Sequence, residues 1–233
     1  MLLLAFETSA KAGSVALMKD GVLLAESYQN TGLTHSQTTL PMAQNLIESC
    51  GYQPGDIEAV AVAAGPGSFT GVRIGVAAAK GFAWGRQLPC YGVSTLEAMA
   101  FGLGINAGYV LPVMDARRAQ VYTALFYAQE GRLTRRTEDR AISLQELGEE
   151  LKNLSEPVFL VGDGSILCYN TLKDLVPALT LPAEHHLHQR AAGVALAAMA
   201  KIAAGENGDG STLQPNYLRL SQAERERLAR EQK

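Results

Sequence analysis

Short apolar runs alternate with stretches of helical period along this chain, and the same succession occurs twice. Residues 2–6 (LLLAF), Ser14–Met18 and Val22–Ser27 read as strands, with Lys19-Asp20-Gly21 as a hairpin turn between the last two. Thr34–Ser36 offer N-cap side chains for a helix with Leu40, Ala43, Leu46, Ile47 and Cys50 on one stripe. Pro41 has no N–H to give to a helix interior, so the regular helix is expected to start near Leu40 or to bend there. Ile57–Ala63 is continuously apolar, as suits a strand buried on both faces. Gly65-Pro66-Gly67 turns the chain, and Ser68 caps a helix running to about Trp84. A strand over Leu88–Val93 and a helix from Ser94 follow.

The pattern then restarts. Val110–Met114 and Val121–Tyr127 bracket a turn at Asp115-Ala116-Arg117-Arg118, after which come a helix (Ser143–Leu151), a strand (Val158–Val161) and an Ala-rich helix (Gln189–Ala203). A hairpin followed by alternating helices and strands, twice over, predicts an α/β fold of two similar lobes with mixed sheets. The lobes are expected over residues 1–104 and 105–220, joined near Gly102–Gly108, with 221–233 a charged tail or helix with almost no apolar face.

Composition narrows the field. Of 233 residues 47% are hydrophobic and 18% charged, with a net charge of −3, the profile of a globular protein able to bury a large core. That mildly acidic balance argues against a surface that grips nucleic acid unaided. Met1–Ala5 is apolar but has no basic flank and ends at Glu7, and Arg73 and Lys80 interrupt the longest apolar stretch. No membrane span is expected, and a cytoplasmic location is. Cys50, Cys90 and Cys168 lack CxxC spacing and fit reduced thiols.

The candidate chemistry is sparse. Gly65, Pro66, Gly67, Ser68, Thr70 and Gly71 form a glycine-rich loop between a strand and a helix, where backbone N–H groups and the helix dipole suit an anion. No register fits a P-loop, and Thr70 stands where GxGxxG needs its last glycine. The alternative, preferred here, is that the glycines permit close packing: Gly71, Gly75 and Ala79 lie four apart on one helix face and form a flat strip. Glu7, Thr8 and Ser9 in the first hairpin are candidates for a vestigial nucleotide loop, or for a turn whose hydroxyls bond local backbone. Asp115, Arg117 and Arg118 make a crowded corner suited to a salt bridge or an interface. His185, His186 and His188, near Glu184, lie on a segment that could aim at most two of them at one metal. His35 has no evident partner for catalysis and is assigned to capping or an interface. Neither a metal nor a cofactor is expected.

The blocks FETSAKAGSVALMKDG (Phe6–Gly21) and AGPGSFTGVRIGVAAAKGFA (Ala64–Ala83) resemble the TsaB (YeaZ) family. So do THSQTTLPM (Thr34–Met42), GVSTLEAMA (Gly92–Ala100), MDARRAQVY (Met114–Tyr122) and PNYLR (Pro215–Arg219), in the same order. The resemblance implies an actin-like fold of the sugar kinase, Hsp70 and actin superfamily. It implies a non-catalytic subunit that binds a TsaD-type catalytic subunit, assisted by a TsaE-type ATPase. That system transfers threonylcarbamoyl from its adenylate to N6 of the tRNA adenosine beside the anticodon, with tRNA met only indirectly. The catalytic paralogue carries a His-x-x-x-His metal pair where this chain reads Val93-Ser94-Thr95-Leu96-Glu97. An actin-like ATPase or kinase and a metallopeptidase-like enzyme are the competing readings. The resemblance also implies partner and homodimer contacts through first-lobe helices. Their candidates are His35, Leu40, Ala43, Leu46, Ile47, Val72, Arg73, Gly75, Val76 and Ala79.

Overall fold

A computed structural model describes residues 1–219 as two sheets and six α-helices. The first sheet is laid down by β1 (Leu2–Glu7), β2 (Gly13–Lys19) and β3 (Val22–Gln29), an antiparallel meander. Helix α1 (His35–Ser49) leads to β4 (Ala59–Ala63), α2 (Phe69–Trp84) to β5 (Cys90–Val93), and α3 (Thr95–Leu103) leaves the sheet. β4 pairs parallel to β1 and β5 parallel to β4, giving the order β3-β2-β1-β4-β5.

The second sheet repeats this plan. β6 (Ala107–Asp115) pairs antiparallel with β7 (Gln120–Thr123), and β11 (Val158–Val161) and β12 (Leu179–Thr180) add in parallel. The order is β10-β7-β6-β11-β12, where β10 is Arg140–Ser143. β8 (Phe126–Gln129) and β9 (Arg132–Arg135) extend the N-terminal half of β6. Helices α4 (Leu144–Leu151), α5 (Ser165–Leu172) and α6 (Ala191–Ala203) complete the described chain. Two sheets, each opened by a hairpin, are the architecture the pattern predicts.

β1 is apolar throughout because both of its faces are covered. Leu2, Leu4 and Phe6 join α1 and α2 through Ala43, Leu46, Ile47, Val72 and Val76. Leu3 and Ala5 face the other way, onto α6 through Val194, Ala195 and Ala198. The sequence reading put the Ala-rich helix in the second lobe; the structure returns it to the first, where it covers the face that α1 and α2 leave open. The second lobe as a compact unit therefore ends before α6. Its sheet packs one face on α4 and α5 and the other on α3, whose Leu96, Met99 and Ala100 meet Val110, Met114, Phe126 and Val161. α3 lies between α6 and the second sheet, with one apolar cluster on its Ala98 side and another around Leu96, Met99 and Ala100, so it joins the two lobes.

Other differences are local. The expected strand Val121–Tyr127 splits at Ala124-Leu125, where Leu125 leaves the ladder to accept N–H bonds from Arg136 and Thr137. β9, β10 and β12 are too short or too polar for period-2 reading, and α5 was not anticipated. α1 begins at His35 and carries Pro41 inside it, at an exposed position where water can serve the freed carbonyl. The tail beyond Leu220 lies outside the described residues.

The helix crossing of α3 and α6 admits no side chain at Gly193: a Cβ there would overlap the Ala98 carbonyl oxygen. Gly193→Ala is expected to lower stability by about 2 kcal/mol, because backbone must move to make room. Gly55→Ala, where nothing lies within 4 Å of the new Cβ, should stay within about 0.5 kcal/mol of wild type. Urea denaturation of the two variants checks the contrast.

Candidate functional site

The first hairpin of each lobe points into one cleft of ≈470 Å³. Its walls are Ser9–Lys11 from the β1–β2 turn, Pro66–Thr70 from the glycine-rich loop, Met114–Arg117 from the end of β6, Asp163, and the chain from Asn216 to Arg219.

Glu7 ends β1 at this place and is fully buried. The N–H of Ser9 donates to Glu7 Oε1 at 2.6 Å, while Oε2 has no hydrogen-bond partner among the described residues. Burial pushes the carboxyl up from 4.5 to about 7, against the lowering by Ser9 and with a further push from Asp163. Asp163 sits in the β11–α5 turn, projects into the cleft and accepts from Gln189 Nε2 at 3.0 Å. Crowding by protein raises its carboxyl, with Asp115 adding to the effect. Thr8 is buried, and its hydroxyl donates to Gly71 O at 2.8 Å. Its bond is thus to the backbone of α2, 63 residues away, and not to the backbone of its own turn.

The glycine-rich loop is occupied by its own chain. Ser68 N–H donates to Ser9 O at 2.6 Å, and Ser68 Oγ caps α2 by accepting from Gly71 N–H at 3.3 Å. A Cβ on Gly67 would overlap Ser9 O, one on Gly71 would overlap Thr8 O, and one on Gly75 would overlap Thr8 Oγ1. Gly65, at φ +114°, faces Asn216 O as closely. These glycines let backbone meet backbone, and the Ser68 N–H that an anion would need is already engaged.

The same contacts correct the partner-face candidates. Ala43, Leu46, Ile47, Val72, Gly75, Val76 and Ala79 are buried in the first lobe's own core, because both helices turn their apolar stripes to the sheet. The strip of Gly71, Gly75 and Ala79 faces Thr8 and the sheet rather than a partner. Of the ten candidates, Leu40 and Arg73 are exposed and His35 is half-buried. His35 Nε2 lies 2.8 Å from Ala10 O, and its ring packs where a Gly13 Cβ would be. The outward face of the pair carries Leu40, Pro41 and Gln44 from α1, with Arg73, Ala77, Gly81 and Trp84 from α2.

Asp115 Oδ1 accepts the Arg117 N–H at 2.7 Å, and Arg117, Arg118 and Ala119 all adopt left-handed φ near +60°. His185 and His186 are exposed, with ring centroids 4.2 Å apart, and among the described residues no three metal-capable side chains converge. No described helix is long and apolar enough to cross a membrane. Sequence reasoning missed Asp163, Gln189 and the use made of Pro215–Arg219. A Gly162-Asp163-Gly164 turn after a strand was the available signal for the first of these.

This arrangement of paired lobes is the actin-like fold. The ethanolamine utilization protein EutJ from Carboxydothermus hydrogenoformans shares that fold, with a TM-score of 0.52 at 16% identity over 84% of this chain and 90% of that one. A Pseudomonas aeruginosa structure described as an uncharacterized protein with similarity to peptidase YeaZ superposes with a TM-score of 0.77. It is 28% identical and covers 94% of this chain and 99% of that one. The family model for TsaD, tRNA N6-adenosine threonylcarbamoyltransferase, matches residues 29–227. The tRNA threonylcarbamoyladenosine biosynthesis protein TsaB of Bacillus subtilis is 34% identical over 96% of each chain. That of Escherichia coli is 40% identical over 70% of this chain and 72% of its own. The chain belongs to the TsaB family.

Glu7 sets a pH dependence of stability. Its carboxyl is neutral in the fold up to about pH 7 but ionises at about 4.5 when unfolded, so stability falls as pH rises between those values and levels off above. The span corresponds to about 3 kcal/mol. Glu7→Gln should flatten this slope and melt higher than wild type at pH 8, as measured by thermal denaturation from pH 4.5 to 8.

Proposed function

We propose that this chain is a non-catalytic subunit in the synthesis of threonylcarbamoyladenosine on tRNA, acting in the cytoplasm. It binds and activates a TsaD-type catalytic subunit that moves threonylcarbamoyl from its adenylate to N6 of the tRNA adenosine next to the anticodon. A TsaE-type ATPase assists, and tRNA is met through the partner, in keeping with a net charge of −3 on this chain.

One observation carries the non-catalytic reading. The stretch that corresponds to the paralogue's histidine pair is used here for structure. Ser94 Oγ caps α3 by accepting the Glu97 N–H at 3.2 Å, Thr95 and Leu96 are fully buried, and Leu96 enters the core shared by the lobes. The cleft adds support, since its glycine-rich loop is seated on Thr8, Ser9 and Asn216. An ATPase or kinase would be recognised by steady ATP turnover of the pure chain that a Ser9 substitution removes. A peptidase would need a nucleophile and base, and the sequence offers no such pair.

The partner surface is assigned to the outward face of α1 and α2. Leu40 is 52% exposed and Trp84 is 76% exposed there. Between them the half-buried Ile74 and Ala78 and the exposed Ala77 and Gly81 leave α2 low enough for another helix to approach. A second copy of this chain uses the same face, so homodimer and heterodimer compete. Ala77→Arg should leave circular dichroism unchanged while blocking association with the TsaD-type subunit in light scattering, and tRNA modification with it. Gly75→Arg, set against Thr8, should instead unfold the lobe. Normal complexes from a folded Ala77→Arg protein would put the interface elsewhere.

A further inference from the structure

The Pro215–Arg219 block meets that partner surface at its edge, through Arg73, and is tied to the first lobe at several further points. After α6 the chain runs back across the first lobe. Leu213 covers Gly92, where a Cβ would overlap its methyl group, and Lys80 Nζ donates to Leu213 O at 3.0 Å. Asn216 N–H donates to Ala64 O at 2.6 Å, and the close approach to Gly65 leaves no room for a side chain there. Tyr217 stacks on Phe69 with centroids 4.6 Å apart, and its hydroxyl accepts from Arg73 Nε at 2.8 Å. The Arg73 guanidinium lies 4.0 Å from the Phe69 ring centroid, which completes a three-member stack.

All of these contacts are to the first lobe. Two residues later the chain reaches the other one: Arg219 Nη1 donates to Ala116 O at 2.6 Å. Ala116 is buried and begins the β6–β7 turn, whose next three residues hold left-handed φ, a conformation that persists only where surroundings impose it. Both ends of this span line the cleft, as do Asn216, Tyr217 and Leu218.

We propose that residues 213–219 are a strap latched across the mouth of the cleft. Leu213–Tyr217 are its fixed anchor, and the bond from Arg219 to Ala116 is the releasable catch that sets how far the β6–β7 turn stands from the glycine-rich loop. The asymmetry carries the argument. The anchor spreads over backbone, apolar and aromatic contacts, whereas the strap's crossing bond among the described residues is the charge-assisted one from Arg219 to Ala116 O, at the edge of a strained turn. The lobes stay joined when the catch opens, because α3 holds a core common to both. This inference is independent of the partner reading.

The test is amide exchange and cleft access in the full chain. In wild type, the turn's N–H groups are held by the bonds Ala116 N–H to Gln120 O, Gln120 N–H to Arg117 O and Leu144 N–H to Ala119 O. Arg219→Ala should speed exchange at Ala116, Gln120 and Leu144 by about tenfold while Asn216 keeps its protection. A thiol introduced by Thr70→Cys on a Cys50→Ser background should then react several-fold faster with a bulky maleimide. Arg219→Lys, which retains a cationic donor, should restore part of both effects. Tyr217→Ala should release Asn216 as well as the turn. Wild-type exchange and labelling in Arg219→Ala would overturn the latch, and so would a uniform loosening of the whole chain.

Discussion

Everything about the cleft follows from how closely the β1–β2 turn lies against the start of α2. Ser9 O takes the Ser68 N–H, and the Thr8 carbonyl and hydroxyl sit where side chains on Gly71 and Gly75 would be. That approach fixes the N-terminus of α2 over the end of β1, where Glu7 is fully buried, and Gly65 beside it is the floor on which Asn216 of the C-terminal segment rests. Backbone-to-backbone contact of this kind is available only to glycine, whose cost in a helix interior, about 1 kcal/mol each, is offset by the packing it permits. The close packing preferred from the sequence is what the loop provides: its glycines cradle polypeptide.

Much of the fold was legible because it rests on periodicity. β1 and β4 are apolar on consecutive positions, and both are covered on two faces; α2 starts after Ser68 and ends at Trp84 as its cap and period indicate. What periodicity could not give was the identity of the covering layer. The stripe of α6, rich in alanine, fits either sheet, and its assignment to the first depends on Gly193 meeting Gly102 and on Ala191 N–H bonding Ser14 Oγ at 2.7 Å. Those are contacts between residues some ninety to one hundred and eighty positions apart. The candidate site fared less well for a related reason. Val72, Gly75 and Ala79 are small and apolar, as an interface requires, but the core requires the same thing. Only the structure separates the buried side of α2 from the side that carries Ala77 and Gly81.

The ion pairs outside the cleft serve cohesion. Arg135 reaches Asp139 at 2.6 Å and lies 3.8 Å from Glu97, so an ion-pair network joins β9 to α3 across the lobe boundary. Glu26, almost fully buried, accepts from Arg190 Nε and Nη2 and from the Ala192 N–H, which fixes the start of α6 on the first sheet. The lobes are thus held by apolar and charged contacts on the α3 side and by the Arg219–Ala116 bond on the cleft side, where the carboxyls of Glu7, Asp163 and Asp115 oppose one another's ionisation.

The return of α6 to the first lobe has a consequence for how the chain is made. A ribosome delivers β1 to β5 first, but one face of that sheet, with Leu3, Ala5, Ala16 and Met18, stays bare until residues 191–203 have followed. Synthesis at roughly 5–20 residues per second separates the end of β5 from the end of α6 by about five to twenty seconds, during which the second sheet can form ahead of the first lobe's completion. The sheet made before the other is therefore completed after it, and an exposed apolar face is the hazard its nascent form must survive.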